Sequence, residues 1–345
     1  MPDLAEGEAL ARIRLINVHS ATRTRMSSGM TALGETDRTN YACAEVVRSR
    51  DPAFREGDVI ACQAGWQEYQ IVRSADPCIG YGPISPAARV VNGTNSQWTY
   101  CFRPQLAARW SPDVLMDVFG TSGMTAWFGL RECGPVQPGE TVVVAGASGS
   151  VGALAAQIAR YRGARVIGIA GGAEQCAWVK AALGAYACVD YRAGGVGDQL
   201  SAMCPDGIDL FSDGIGGALT ETVTPLLRVG GRLFSYGSAA SFYDNPSDTE
   251  KPTGNRSAAS LRQAFGISAG VEKMIAARRL KVACWIVDQF YHERLEAEDA
   301  LQQMLLSGDL RSINTVVAGF ENLPQAISDL YRHSRRGKLQ IAFGA

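Results

Sequence analysis

The sequence predicts an α/β protein: a doubly wound parallel sheet of the Rossmann kind beside a smaller, irregular β-rich unit. Three observations lead there. A β-branched run, Val142-Val143-Val144-Ala145, stops at glycines spaced three apart, Gly146, Gly149 and Gly152. Behind them Val151, Leu154, Ala155, Ile158 and Ala159 recur at helical spacing, so the stretch reads strand, tight turn, helix. Beyond the turn, short apolar strands and helical segments keep alternating, the pattern of parallel strands joined by crossovers.

In chain order, Arg165 to Ala170 reads as the second strand and Glu174 to Leu183 as a helix closed by Gly184. Ala187 to Tyr191 is a third strand, Asp198 to Met203 a short helix and Ile208 to Asp213 a fourth strand. A helix from Ala218 to Leu227 is stopped by Gly230-Gly231, and Arg232 to Tyr236 is a fifth strand. After an irregular Ser/Asn/Pro stretch comes a helix ending near Arg279, then Val282 to Val287 as a sixth strand. In such a sheet a ligand lies at the carboxyl ends of the strands, where their order reverses. Glycine suits the first turn because it tolerates positive φ and lets N–H groups approach a pyrophosphate on the positive end of a helix. The turn is read as a dinucleotide site, the alternative being a turn with no ligand.

A chain of 345 residues is too long for that unit alone. Up to about Gln105 the short apolar pieces Val59 to Cys62 and Tyr69 to Val72, punctuated by Gly and Pro, indicate the β-rich unit. Asn314 to Phe343 returns to strand, helix, strand. The expected division is residues 1–115, completed by about 290–345, around a dinucleotide unit at 116–290.

The 33 basic and 34 acidic residues give a net charge of −1, which leaves no footprint for nucleic acid or an anionic membrane. No apolar run reaches the length of a membrane span, and Met1 to Leu10 is acidic, so a soluble cytoplasmic protein is expected. The nine cysteines are scattered with no C-x-x-C pair, which fits reduced, buried side chains better than disulfides or a thiolate zinc lobe.

Ordered blocks then carry a resemblance. They are Gly57-Asp58-Val59, Gly65-Trp66-Gln67-Glu68-Tyr69, Gly123-Met124-Thr125-Ala126-Trp127-Phe128-Gly129-Leu130, the glycine turn, Gly168-Ile169-Ala170-Gly171-Gly172, Val189-Asp190-Tyr191, Gly216-Gly217, Phe320-Glu321-Asn322-Leu323-Pro324 and Gly337-Lys338-Leu339. From about residue 55 onward the chain resembles the zinc-independent branch of the medium-chain dehydrogenase/reductases, which includes prostaglandin, alkenal and curcumin reductases. The resemblance implies a GroES-like first domain, NADP(H) as cofactor, a small-molecule enone or enal substrate and a homodimer. Zinc enzymes of the superfamily need a cysteine, a histidine and a carboxylate, whereas His19, His292 and His333 stand in no matching motif, so no metal site is expected. Hydride delivery to a C=C bond conjugated with a carbonyl needs only a stabilised enolate, so enone or enal reduction is the expected chemistry. A quinone reductase on the same scaffold, or a dinucleotide-binding sensor without catalysis, is the alternative.

The implied cofactor residues are Gly146, Ser148, Gly149, Ser150, Val151 and Gly152 at the turn, then Ala170, Gly171, Gly172, Gln175 and Tyr191 at the ends of the second and third strands. Thr125, Gly237, Cys284, Ile286 and Arg335 complete the set. An NAD enzyme would carry an acid where this chain has Ala170-Gly171-Gly172-Ala173, and its absence leaves room for a 2′-phosphate. Relatives generally place a lysine where Gln175 stands; Glu174 is unfavourable beside a phosphate, while Lys180, Arg192 and Tyr191 could compensate. Tyr243 matches, with one inserted residue, the active-site tyrosine of relatives and is the expected donor to the substrate oxygen. Two positions depart: Ala21 replaces a tyrosine near Arg23, Arg25 and Met26, and Arg335, next to Arg336, replaces an asparagine. The arginines face either the ligands or solvent.

Overall fold

The computed structural model describes residues 3–18, 22, 34, 40–74, 99–239, 262–263, 265–285, 287–332 and 335–343. From the N-terminus, β1 (Ala9–Asn17), β2 (Asn40–Ser49), β3 (Val59–Ala64), β4 (Tyr69–Val72) and β5 (Tyr100–Cys101) pair antiparallel, with β1 between β2 and β4 over part of its length. The helices α1 (Pro104–Arg109), α2 (Pro112–Asp117) and α3 (Thr121–Glu132) lead across to a second sheet. The first two open on proline, which loses nothing there because a first-turn N–H has no helical acceptor.

The next stretch alternates: β6 (Thr141–Ala145), α4 (Ser150–Tyr161), β7 (Arg165–Ala170), α5 (Ala173–Leu183), β8 (Ala187–Asp190), α6 (Val196–Met203), β9 (Ile208–Asp213), α7 (Ala218–Val223), β10 (Leu227–Ser235), α8 (Ala269–Arg278) and β11 (Lys281–Cys284). These strands form a parallel sheet in the order β11-β10-β9-β6-β7-β8, the doubly wound order that reverses between β6 and β9. Because successive side chains alternate, Val142 and Val144 join the core under one face while Val143 and Ala145 join Ile167, Phe211 and Leu233 under the other. The first core continues through Phe128 and Phe234 to Tyr41, Cys43 and Tyr100, so it ties the two sheets together.

After α9 (Arg294–Ser307) come β12 (Asn314–Ala318), α10 (Leu323–Arg332) and β13 (Lys338–Ala342). Strand β13 runs parallel to β12 and antiparallel to β1, pairing Leu15 with Ala342 and Asn17 with Gln340. Thus the last strand belongs to the first sheet.

Three elements differ from their sequence reading by more than two residues at an end. The expected sixth strand, Val282 to Val287, is β11 and stops at Cys284, and Val287 already opens a 3-10 helix, Val287–Glu293. Strand β10 begins at Leu227, ahead of the expected Arg232, because Gly230 and Gly231 form an irregularity in its pairing with β9 and not a stop. Helix α7 ends early, at Val223, where Pro225 opens a 3-10 turn, Thr224–Leu226.

Candidate dinucleotide site

The β6–α4 turn is held by backbone. Gly146 takes φ +61°, the left-handed conformation that favours glycine, and the Ala147 N–H donates to Ile169 O at 3.0 Å, pinning the turn to β7. A Cβ on Gly152 would lie 2.3 Å from Gly146 O, so only glycine lets the helix pack on the turn. Gly149 is different: its φ of −83° suits any residue, and a Cβ there would meet only Gly146 O at 3.2 Å. No side chain caps α4, and its first N–H groups, at Ser150, Val151 and Gly152, find no backbone acceptor. They form a cradle for an anion, favoured further by the helix dipole.

Behind the cradle lies a polar cluster. The Ser150 hydroxyl turns inward, within hydrogen-bond distance of Ser122 Oγ at 2.8 Å and of Asp117 Oδ1 at 3.4 Å. Asp117, only 1 % exposed, also accepts from the Ser312 hydroxyl at 2.8 Å and the Ile313 N–H at 3.3 Å. Burial pushes its carboxyl up to about 6, against the opposing pull of these donors and of Lys338. Burial likewise brings the Lys338 ammonium down to about 8, with Asp117 opposing. Next to Lys338, the Gly337 N–H donates to Ser148 O at 2.8 Å, and Gly337 and Gly149 make a parallel bridge. A Cβ on Gly337 would strike Ile313 O at 1.7 Å, so the chain enters β13 here only as glycine. The glycine turn is therefore held by the segment that leads into β13 as well as by β7.

At the end of β7 the second helix start is also uncapped. Gly172, φ +98°, donates its N–H to Asp190 Oδ1 at 2.7 Å, and the same oxygen accepts from the Arg192 N–H at 2.9 Å. Asp190 thereby holds Tyr191 over the rim: a Cβ on Gly171 would lie 2.8 Å from the Tyr191 hydroxyl. The Arg192 guanidinium lies 3.7 Å from the Cβ position of Gly172. Gln175 is buried, 7 % exposed, so its side chain packs beneath the rim. Glu174 projects outward, and Arg336 pairs with it, Nη2 to Oε1 at 2.8 Å, while lying over the Trp178 ring at 5.3 Å.

Across the switch point Asp213, fully buried at the end of β9, accepts from the N–H groups of Ile215 and Gly216 and from the Thr220 hydroxyl, which shapes the Gly214 to Gly217 turn. There Gly237 approaches Gly214 so closely that a Cβ would lie 2.9 Å from Gly214 O. Cys284 ends β11 half-buried, its thiol raised to about 11 by burial. Thr125 is buried on α3, which packs on α4. The structure thus brings the residues of the first two strand ends together, while Arg335 is paired with Asp329 at 2.6 Å. Tyr243 and Ile286, like Ala21, Arg23, Arg25 and Met26, lie outside the described residues. Sequence reading missed Asp117, Ser122 and Ser312; Asp190 and Lys338 stood in quoted blocks without an assigned role. Among the described residues, no three His, Cys, Asp or Glu side chains gather where they could hold a metal ion, and no helix is long and apolar enough to cross a membrane.

Two family models match the chain, one described as an N-terminal domain of oxidoreductase over residues 1–78 and one as a zinc-binding dehydrogenase over residues 150–276. Over 341 residues the chain is 29 % identical to the NADPH-dependent curcumin reductase of Escherichia coli (strain K12), covering 97 % of this chain and 88 % of that protein. Prostaglandin reductase 1 of Mus musculus is 25 % identical over 348 residues, covering 98 % and 90 %. CurA from Vibrio vulnificus in complex with NADPH superposes with a TM-score of 0.75 at 26 % identity, covering 100 % of this chain and 93 % of that one. The fold and its two helix starts, taken with these relatives, mark a nucleotide-dependent oxidoreductase. The chain belongs to the medium-chain dehydrogenase/reductase family, in the branch of the NADP-dependent curcumin, prostaglandin and alkenal reductases.

Proposed function

We propose that the protein uses NADPH to reduce the C=C bond of an α,β-unsaturated ketone or aldehyde. The observation that carries the reading is the pair of uncapped helix starts at the ends of β6 and β7, the first built from packed glycines and the second following Ala170-Gly171-Gly172-Ala173, with no acid at the end of β7 where a ribose 2′-hydroxyl would call for one. The first suits a pyrophosphate; the second suits a ribose that carries a phosphate. NADPH, when bound, supplies a hydride for the β-carbon. The chain's part is to hold the dinucleotide by the amides of Ser150 to Gly152 and to stabilise negative charge as it develops on the substrate oxygen. Tyr243, from its sequence position alone, is the proposed donor for that oxygen, and a homodimer is the proposed assembly. Relatives named as curcumin, prostaglandin and alkenal reductases support this substrate class. The quinone oxidoreductase of Escherichia coli shares the fold at 16 % identity and a TM-score of 0.71, which bears on architecture alone.

The test is NADPH oxidation against a panel of enones, alkenals and quinones. Turnover of enones or alkenals is expected; turnover of quinones alone would replace this reading with a quinone reductase, and binding without oxidation with a sensor. On an active enone, Tyr243→Phe is expected to lower kcat and kcat/KM together by about ten- to a thousandfold, the range for removing one oxyanion donor or general acid, with NADPH binding unchanged. Near wild-type turnover would remove Tyr243 from the proton transfer.

A further inference from the structure

The rim of the α5 start carries an ion pair that the family fold does not by itself require. Glu174 is 86 % exposed there, and a carboxylate in that place repels a phosphate dianion. Its partner comes from 162 residues away in the chain: Arg336, on the segment between α10 and β13, crosses from the first sheet's unit to reach it. Stacking over Trp178 orients the guanidinium, and the Gly337 N–H bond to Ser148 O ties the adjacent backbone to the glycine turn. The distance between this cation and the pyrophosphate cradle is therefore set by the protein. Arg192 stands at the same helix start, beside Gly172.

We propose that Arg336 is the cation that recognises the 2′-phosphate of NADP(H), with Arg192 flanking it, so that a residue of the first sheet's unit sets the cofactor specificity of the second. The proposal rests on the NADP(H) reading above. One Nη of Arg336 is engaged with Glu174, and a guanidinium carries five N–H donors in a planar fork, so the arginine can bond both a carboxylate and a phosphate oxygen. With a bare 2′-hydroxyl the same arginine gains little. Glu174 then acts as a brake on phosphate binding that Arg336 releases.

The test is calorimetric titration of the full-length protein with adenosine 2′,5′-bisphosphate and with 5′-AMP, two ligands that differ only in the 2′-phosphate. Arg336→Ala is expected to weaken the bisphosphate by about tenfold or more, the scale of one charge-assisted bond, while 5′-AMP stays within about twofold. Arg336→Lys should recover part of the loss, and Glu174→Gln should tighten the bisphosphate alone. An Arg336→Ala protein that loses affinity for both ligands equally, or for neither, overturns the proposal, because a merely structural arginine cannot tell them apart. A wild-type protein that binds both ligands equally would instead overturn the NADP(H) reading itself.

Discussion

At the start of α4 the ligand-facing groups are backbone N–H donors behind packed glycines, whereas at the start of α5 two arginines, a glutamate and a tyrosine stand on an open rim. The first is buttressed by the buried Asp117 and Ser122 and the half-buried Ser312, and at Gly152 and Gly337 it leaves no room for a side chain. The second is made of side chains whose charges can change without disturbing the fold. A backbone cradle can serve any pyrophosphate, so discrimination between cofactors falls to the exposed rim.

The largest expected effect tests the rigid end. Gly152→Val places a branched side chain where even a Cβ lies 2.3 Å from Gly146 O, so a loss of about 3 kcal/mol or more in stability and of all NADP+-induced rise in melting temperature is expected. Gly149→Val should separate fold from ligand: its backbone is unstrained, so the protein is expected to melt near wild type yet bind NADP+ about a hundredfold more weakly in a thermal-shift titration. Undiminished binding would show that the turn does not face the ligand.

The buttress should show itself in pH dependence. Asp117 has a folded-state value of about 6, above its ordinary 3.8, so the native state holds its proton more tightly, and stability contributed by this group is lost as pH rises from about 4 through 6. Asp117→Asn removes that dependence. Relative to wild type, the mutant is expected to gain up to about 3 kcal/mol between pH 4 and pH 7, read from urea melts at each pH. A constant difference would mean that the carboxyl is not held protonated by its burial. Lys338 runs the other way at the alkaline end, its depressed value near 8 making native stability rise between pH 8 and about 10.

The smallest effect is expected at Gln175. Because that side chain packs beneath the rim, Gln175→Lys must bend its ammonium outward past Gly172, and a gain of no more than about threefold in NADP+ affinity is expected from titration calorimetry. A tenfold gain would move the phosphate toward residue 175 and away from Arg336.

These contrasts also explain what could be read from sequence. Strands β7 and β9 were legible to the residue, since Arg165–Ala170 is a largely apolar run and Ile208–Asp213 carries the apolar Ile208, Leu210 and Phe211, and each is followed directly by a glycine, Gly171 or Gly214. The glycine turn was legible for the same reason, although the need for positive φ falls on Gly146 and not on Gly149. The start of β10 was not, because Gly230-Gly231 reads alike as a helix stop and as a strand irregularity. Asp117 carried no local signal: it closes a six-residue helix, and its partners Ser150 and Ser312 come from distant elements. The Glu174–Arg336 pair was hidden similarly, for neither residue's neighbours in sequence hint at the other.

The closure of β1 by β13 also orders the birth of the molecule. Residues Leu15–Asn17 leave the ribosome early, yet their partners Gln340–Ala342 follow after every strand of the parallel sheet has been made. During vectorial synthesis the nascent chain can therefore complete its parallel sheet while the antiparallel one still has an open edge. Its last event is a zipping of distant segments, the kind of contact that forms slowly because a long loop must close first. Gly337 docks on Ser148 only at that moment, so a chain interrupted before β13 would carry a finished glycine turn that lacks its Gly337 clasp.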